Sequence, residues 1–273
     1  MIDLHVHTAL CGHADGMPVD YVRAAAAGGV TVLGFTDHMP LAPSLSARIP
    51  GASRYSMALD QLEHYVAEVS RARELGRELG VEVLLGIEAD LVQDGIEHAR
   101  ALAASVPFDI VLGSVHFVDD WAFDDPALID RYAEWDVRDL WERYFDELLR
   151  AAASGVADVI AHADLVKKFC GAPEGPIEDL LRQVAGELAG LGVAVEVNTA
   201  GLRKPCSEIY PGAEFLRALS TAGVPVTLGS DAHTPSEVGR DHAAGVRALR
   251  DAGYRSVLVF RGRTAEEVPL DDA

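Results

Sequence analysis

Seven of the ten histidines in this chain lie at the ends of short apolar segments, and this pattern constrains the fold more than any other feature. Glu88 and Asp231 accompany them. The full set is His5, His7, His13, His38, Glu88, His116, His162, Asp231 and His233. Imidazole and carboxylate groups are ligands of Zn, Mn and Fe, and a single ion rarely uses more than three or four of them. Nine candidates therefore predict a multinuclear site that the fold assembles, and hence a metalloenzyme.

Apolar, strand-like segments alternate along the chain with longer segments of helical periodicity. The apolar segments cover residues 2–6, 30–36, 81–88, 109–115, 157–162, 193–198 and 224–230. The helical segments cover residues 18–28, 57–79, 95–104, 131–153, 177–191, 212–222 and 236–252. Gly-Val pairs, as at 29–30 and 223–224, mark a helix end followed by a strand start. Seven β–α alternations with nearly continuous apolar strands predict a parallel sheet covered by helices.

The positions of the candidate ligands distinguish a closed barrel from an open sheet. Each candidate lies in the last residues of an apolar segment or just beyond it. In a closed barrel of parallel strands those ends converge on one face, where barrel enzymes place their chemistry. An open sheet would spread seven strand ends along a line, too far apart for one site. We therefore predict a single α/β domain over residues 1–273, a distorted (β/α)7 TIM-like barrel. Residues 256–273 are expected to form a C-terminal strand and tail.

Composition excludes several classes of function. The net charge of −20 argues against nucleic-acid or anionic-membrane binding, because both need a basic surface. No apolar run approaches the ~20 residues of a membrane span. The three scattered cysteines fit a reducing compartment. Because the first strand begins at residue 2, we expect no signal peptide, and hence a cytoplasmic protein.

Two pairs of candidate ligands have the same spacing. His5 and His7 are two residues apart on one strand, so both side chains point to the same face and can share an ion. Asp231 and His233 repeat this spacing at the last barrel strand. One such pair is equally compatible with a structural role, whereas two pairs at opposite ends of the chain favour a metal site.

The motifs DLHVHT, TDH, GIE, SVH, a lone strand-end histidine and SDAH resemble those of the polymerase and histidinol phosphatase (PHP) family over residues 1–240. The resemblance implies a distorted seven-stranded barrel with a trinuclear metal site, and Zn, Mn and Fe all suit its ligands. It implies three ligand sets with Glu88 bridging two ions: His5, His7, Glu88 and Asp231; Glu88, His116 and His162; and His13, His38 and His233.

Two further segments, SVHFVDDWAFDDP (114–126) and NTAGLRKP (198–205), resemble the histidinol-phosphatase branch of that family. The resemblance implies hydrolysis of L-histidinol phosphate to L-histidinol and phosphate, a step of histidine biosynthesis, by attack of a metal-bridging hydroxide. We expect Glu88, Asp231 and His233 to act in catalysis. The residues themselves agree with a phosphomonoesterase, because clustered cations neutralise phosphate oxygens and lower the pKa of bound water toward ~7.

Residues at strand ends other than the candidate ligands are candidates for substrate binding. The chain has only three lysines, and two lysine-bearing segments follow strand ends. Arg203, Lys204 and Lys167 are therefore candidate phosphate ligands, with solvated surface cations as the alternative. Glu196 and Asn198 share one strand face, and they either contact the substrate or the metal-bound water or form buried hydrogen bonds.

An acidic loop follows the fourth strand segment. Its carboxylates are either only solvated or suited to an amino-alcohol cation, and they are Asp119, Asp120, Asp124 and Asp125. The expected partner is thus a small-molecule phosphate monoester.

Three other functions remain open from the sequence. A related phosphoesterase would act on a nucleotide or sugar phosphate. An amidohydrolase would share the paired histidines of the first strand and the aspartate of the last, but would not need His13, His38 and His233. A non-catalytic metal-binding module would bind metal and hydrolyse nothing.

Overall fold

The computed structural model describes residues 1–49 and 51–271, so Asp272 and Ala273 of the predicted tail lie outside the described residues. The strands are β1 (Ile2–Val6), β2 (Val32–Phe35), β3 (Glu82–Asp90), β4 (Ile110–Ser114), β5 (Phe117–Val118), β6 (Trp121–Ala122), β7 (Val159–Ile160), β8 (Ala194–Asn198), β9 (Val226–Gly229), β10 (Ser256–Arg261) and β11 (Thr264–Pro269). Each of the seven predicted apolar segments contains or overlaps one of these strands.

Seven strands form one parallel sheet in the order β1-β2-β3-β4-β7-β8-β9. The two outer strands then approach each other just beyond their ends. The His7 amide donates to the Ala232 carbonyl at 2.8 Å, and the Asp231 amide donates to the His5 carbonyl at 2.8 Å. The sheet is therefore a nearly closed barrel, and the predicted distorted (β/α)7 architecture is confirmed.

The helices cover the outside of the barrel, and they are α1 (Pro18–Gly28), α2 (Pro43–Arg48), α3 (Leu62–Leu79), α4 (Ile96–Ser105), α5 (Val137–Ala153), α6 (Lys167–Cys170), α7 (Glu178–Leu191), α8 (Ala213–Ala222) and α9 (His242–Ala252). Where the sequence predicts a helix over 131–153, a 3-10 helix covers Pro126–Glu134 and α5 begins only at residue 137. The reason is Asp136, whose side chain accepts hydrogen bonds from the amides of Arg138 and Asp139 and caps α5.

The C-terminal hairpin closes the barrel at the end opposite the predicted ligands. Strands β10 and β11 pair with each other and not with the barrel sheet. Apolar residues of β10 pack with the first residues of β1 in one buried cluster. Arg261 pairs with Glu82 at 2.6 Å, and Arg263 pairs with Asp158 at 3.0 Å, both at the N-terminal ends of barrel strands. The opposite face is thereby left for the loops after the strands.

Among the described residues, none of the helices has the length and apolar character that crossing a membrane requires.

Candidate metal centre

The predicted ligands all lie at the C-terminal ends of barrel strands or in the loops that follow, and the structure brings them together on one face. Most of them are buried or half-buried, and His13 is exposed. We call these nine residues the ligand cluster: His5, His7, His13, His38, Glu88, His116, His162, Asp231 and His233.

The first part of the ligand cluster lies where the edge strands β1 and β9 of the barrel sheet approach each other, next to β3. The Nε2 atoms of His5 and His7 lie 2.9 Å apart. Oδ1 of Asp231 lies 3.3 Å from His7 Nε2, and Oε2 of Glu88 lies 3.4 Å from the same nitrogen. Two ring nitrogens that face each other beside two carboxylate oxygens match the donor atoms that a shared cation needs.

Glu88 joins this part to a second one through its other oxygen. Its Oε1 atom lies 2.9 Å from His162 Nε2 and 3.8 Å from His116 Nε2. Its Oε2 atom also lies 3.2 Å from His38 Nδ1. One carboxylate therefore divides its two oxygens between separate groups of histidines, as a bridging ligand does.

The third set converges less tightly than the resemblance implies. The ring of His13 lies 5.0 Å from that of His38 and 5.1 Å from that of His233, measured between centroids. The nitrogens that lie within 4.8 Å of one another belong instead to His7, His38 and His233. His13 thus lies at the edge of the ligand cluster, next to His38 and His233, the two histidines with which the resemblance groups it.

Buried polar atoms without a partner show that the ligand cluster fits metal ions. Within the described part of the chain, two atoms that face each other in the ligand cluster, His38 Nδ1 and Glu88 Oε2, are buried and make no hydrogen bond. Such atoms are costly, and native proteins leave few of them. Nitrogen and carboxylate oxygen donors suit Zn, Mn and Fe. The residues present therefore fit a multinuclear centre.

For Glu88, His7 and His38 the electrostatics favour the protonation state that metal binding requires. Burial would raise the pKa of Glu88, but His38, His5 and His116 hold it well below its usual value. Burial lowers the pKa of His7 to about 3 and that of His38 well below its usual value. Carboxylate anions and neutral imidazoles are the forms that coordinate metal ions.

His5 differs because carboxylates surround it. Burial would lower its pKa, but Glu196, Asp231 and Glu88 raise it well above its usual value. Oε1 of Glu196 lies 2.7 Å from His5 Nδ1 and so fixes the orientation of the ring. Gly229 makes this contact possible, because a Cβ atom there would lie 2.3 Å from the same oxygen.

Glu196 and Asn198, which the sequence offers as substrate contacts or as buried hydrogen-bonding residues, make hydrogen bonds within the protein. Oε2 of Glu196 accepts from the His162 amide at 3.0 Å and from Asn198 Nδ2 at 3.0 Å. Asn198 Nδ2 also lies 3.2 Å from Asp231 Oδ2. Both side chains are buried behind the ligand cluster, so the alternative of buried hydrogen bonding describes them.

Asp90 is a positioning residue that the sequence reasoning missed. Its Oδ1 atom lies 3.0 Å from His116 Nδ1 and accepts from the His116 amide at 3.1 Å. Burial would lower the pKa of His116, but Asp90 raises it to about 10. The signal was present in the sequence, because Asp90 lies two residues after Glu88 and therefore shares its strand face.

A cavity of about 380 Å³ opens above the ligand cluster. Every member except His5 contributes to its lining. Beyond the ligand cluster, the lining comes from the loops and short helices after the strands: Arg54, Tyr55, Asp124, Asp125, Pro126, Leu165, Lys168, Lys204 and Tyr210. The two aspartates and Lys204 come from segments that the sequence singled out. Arg54, Tyr55, Lys168, Leu165 and Tyr210 were missed.

Of the three cations predicted to bind phosphate, only Lys204 lines this cavity. Nζ of Lys167 is buried and held by Asp164 at 2.9 Å and by Glu208 at 2.8 Å. Arg203 donates to the Ser230 carbonyl at 2.8 Å and lies 3.3 Å from Glu237. Protein carboxylates and carbonyls thus hold both cations in this structure, and the assignment of Arg203 and Lys167 as phosphate ligands stays a prediction.

The family model of the PHP domain matches residues 3–200 of this chain. The chain belongs to the PHP family. A Deinococcus radiodurans protein named probable histidinol-phosphatase is 40% identical over 265 residues, which cover 96% of this chain and 97% of that protein. The histidinol-phosphatase of Bacillus subtilis is 26% identical over 89% of this chain and 97% of its own length.

A solved structure shares the fold of this PHP protein. The histidinol phosphate phosphatase of Lactococcus lactis, in complex with zinc, L-histidinol and phosphate, superposes with a TM-score of 0.81. The match covers 97% of this chain and 98% of that one at 20% sequence identity. The likeness supports the barrel architecture described above.

Proposed function

We propose that this PHP protein is a metal-dependent phosphomonoesterase that hydrolyses L-histidinol phosphate to L-histidinol and phosphate, a step of histidine biosynthesis. The observation that carries the proposal is the ligand cluster, in which Glu88 joins two groups of histidines beneath an open cavity. Support for the substrate comes from the 40% identity to the Deinococcus radiodurans protein over 96% of the chain.

We also propose that the chain holds three divalent ions, with Zn, Mn or Fe as the metal. His5, His7, Glu88 and Asp231 would hold the first; Glu88, His116 and His162 the second; and His13, His38 and His233 the third. Bound ions at such a site neutralise phosphate oxygens and make water a stronger nucleophile at neutral pH. The convergence of donor atoms within 4.8 Å supports the first two sets most directly.

Three of the remaining lining residues would bind or enclose the substrate. Lys204 borders the cavity, and no carboxylate of the described residues lies within ion-pair distance of it, so its charge is available to a phosphate dianion. Leu165 and Tyr210 are buried side chains of the wall and limit the water around the reacting group. Glu88, Asp231 and His233 remain our proposed catalytic residues, because each belongs to the ligand cluster and lines the cavity.

The experiment is a phosphate-release assay of the purified, Zn- or Mn-loaded protein against a panel of monoesters. We expect the highest kcat/KM with L-histidinol phosphate. A nucleotide or sugar phosphate that is better by tenfold or more would overturn the substrate and leave only the phosphoesterase. Hydrolysis of C–N substrates alone would indicate an amidohydrolase, and metal binding without any hydrolysis would indicate a binding module.

Two properties of the proposed enzyme follow from its substrate and composition. A small-molecule ester is the only partner that the function requires, and the net charge of −20 gives no support for a nucleic-acid partner. A cytoplasmic location remains part of the proposal and is supported by three cysteines that form no disulfide.

A further inference from the structure

The four aspartates of the loop after β4 have different environments. Asp119 lies 2.8 Å from Arg143 of α5, and Asp120 lies 2.9 Å from Arg48 of α2. Neither aspartate lines the cavity above the ligand cluster. Their charges tie the β5–β6 hairpin to two helices at the surface, so neither is available to a substrate.

Asp125 lines the cavity, but both of its carboxylate oxygens are in use. Oδ1 accepts from the Ala127 amide at 2.8 Å and caps the following 3-10 helix. Oδ2 accepts from the Tyr55 hydroxyl at 2.6 Å and lies 3.5 Å from Arg54. Asp125 therefore fixes the wall of the cavity.

Lys168 holds Asp124 in place but uses only one of its two carboxylate oxygens. Nζ of Lys168 donates to its carbonyl at 2.7 Å and to its Oδ2 atom at 3.1 Å. Among the described residues, none donates a hydrogen bond to its Oδ1 atom. A carboxylate has acceptor sites for several donors, so one lysine does not saturate it.

The side chain of Asp124 lies beside the ligand cluster. It lines the same cavity as His13 and His116. Of the four aspartates of the loop, Asp124 thus offers an unused oxygen close to the place where phosphate would bind.

The proposed substrate requires a carboxylate at such a place. In L-histidinol phosphate only two carbons separate the ester oxygen from the amine nitrogen. The ammonium group therefore lies within about 5 Å of the phosphorus, given single bonds of about 1.5 Å. Its partner must therefore lie beside the metal centre.

We propose that Asp124 is the specificity-determining residue that binds the ammonium group of the substrate through Oδ1. The proposal rests on the proposed function above. An ion pair away from the broken bond orients the phosphate, so its binding energy contributes to kcat/KM for amino-alcohol esters and is lost for esters without the amine.

The test compares wild-type and Asp124→Asn holoenzymes with L-histidinol phosphate and with its des-amino analogue, 3-(imidazol-4-yl)propyl phosphate. We expect the variant to lose about 10- to 100-fold in kcat/KM with L-histidinol phosphate, the range expected for one hydrogen bond to a charged group. With the analogue the loss should stay below about threefold, since the analogue has no ammonium group to pair. Asp119→Asn is the matched control, because this carboxylate belongs to the same loop but lies off the cavity.

Turnover of the analogue and the metal content by elemental analysis show that the variant is folded and loaded. A variant that keeps the wild-type preference for L-histidinol phosphate overturns the assignment of Asp124 alone. Equal losses on both esters overturn it as well, because Asp124 would then act on the metal centre or the phosphate. A wild-type enzyme that does not hydrolyse L-histidinol phosphate refutes the proposed function itself, before any variant is compared.

Discussion

Replacing Glu88 by glutamine tests the centre of the site. The amide keeps the shape of the side chain but removes its negative charge and turns one oxygen into an NH2 donor. In the structure Oε1 lies 2.9 Å from His162 Nε2, while Oε2 lies 3.2 Å from His38 Nδ1 and 3.4 Å from His7 Nε2. Whichever oxygen is replaced, one group of histidines faces an NH2 group that cannot serve as a ligand, and both groups lose the shared charge.

We therefore expect Glu88→Gln to lose at least ~10³-fold in kcat, which corresponds to about 4 kcal/mol of transition-state stabilisation. It should also bind at least one ion fewer per chain. The assays are phosphate release at saturating L-histidinol phosphate and elemental analysis of the same samples.

Glu82→Gln is the control for this variant. Glu82 lies on the same strand, β3, but at the opposite end of the barrel, where it pairs with Arg261 at 2.6 Å. Its replacement should leave kcat and metal content unchanged. A Glu88→Gln enzyme that retains more than about a tenth of the wild-type kcat would refute the bridging role of this carboxylate.

Three other predictions follow from the site. Elemental analysis of carefully loaded protein should give three ions per chain, and one ion or fewer per chain would refute the trinuclear centre. Chelation should lower Tm by about 10 °C for each ion removed, if that ion was present at ~1,000 times its Kd. Glu196→Gln should weaken metal binding about 10- to 100-fold, because the ring of His5 then loses the carboxylate that orients it. The KM of the loaded enzyme should stay unchanged. A raised KM with full metal content would instead indicate that Glu196 contacts the substrate. Lys204→Ala should raise KM for all phosphomonoesters, p-nitrophenyl phosphate included. Arg203→Ala should instead lower Tm by about 5 °C through lost hydrogen bonds and ion pairs, with little change in KM. The opposite pattern would reverse these two roles.

The sequence predicts the barrel well because its strands are buried on both faces and end at chemically distinctive residues. The predicted helix over 18–28 coincides with α1, and the strand over 2–6 coincides with β1. The periodicity of the apolar residues and the residues that end each strand are enough to predict these two elements, because each element is specified by its own residues. The hairpin β10–β11 is harder to predict, because an apolar strand of six residues does not show whether it joins the barrel sheet or closes its end.

The residues around the ligand cluster were predicted less well, because their roles depend on partners that are distant in sequence. Glu196 was expected to contact the substrate, but His5, which precedes it by 191 residues, takes its carboxylate. Tyr55 reaches the cavity from a loop without regular periodicity, and it does so through Asp125, which lies 70 residues further along the chain. Neither contact can be predicted from the spacing of neighbouring residues in the sequence.

In two pairs of adjacent basic residues, the sequence does not show which of the two side chains lines the cavity. In each pair one side chain lines the cavity and its neighbour does not: Lys168 and Lys204 line it, whereas Lys167 and Arg203 do not. Arg203 ends a 3-10 helix, and at Lys204 the backbone is extended, with φ −103° and ψ 168°, which turns the two side chains apart. The basic pair thus indicates the right place on the barrel, but the choice between its members is made by the backbone turn and by acceptors such as Ser230 and Asp164.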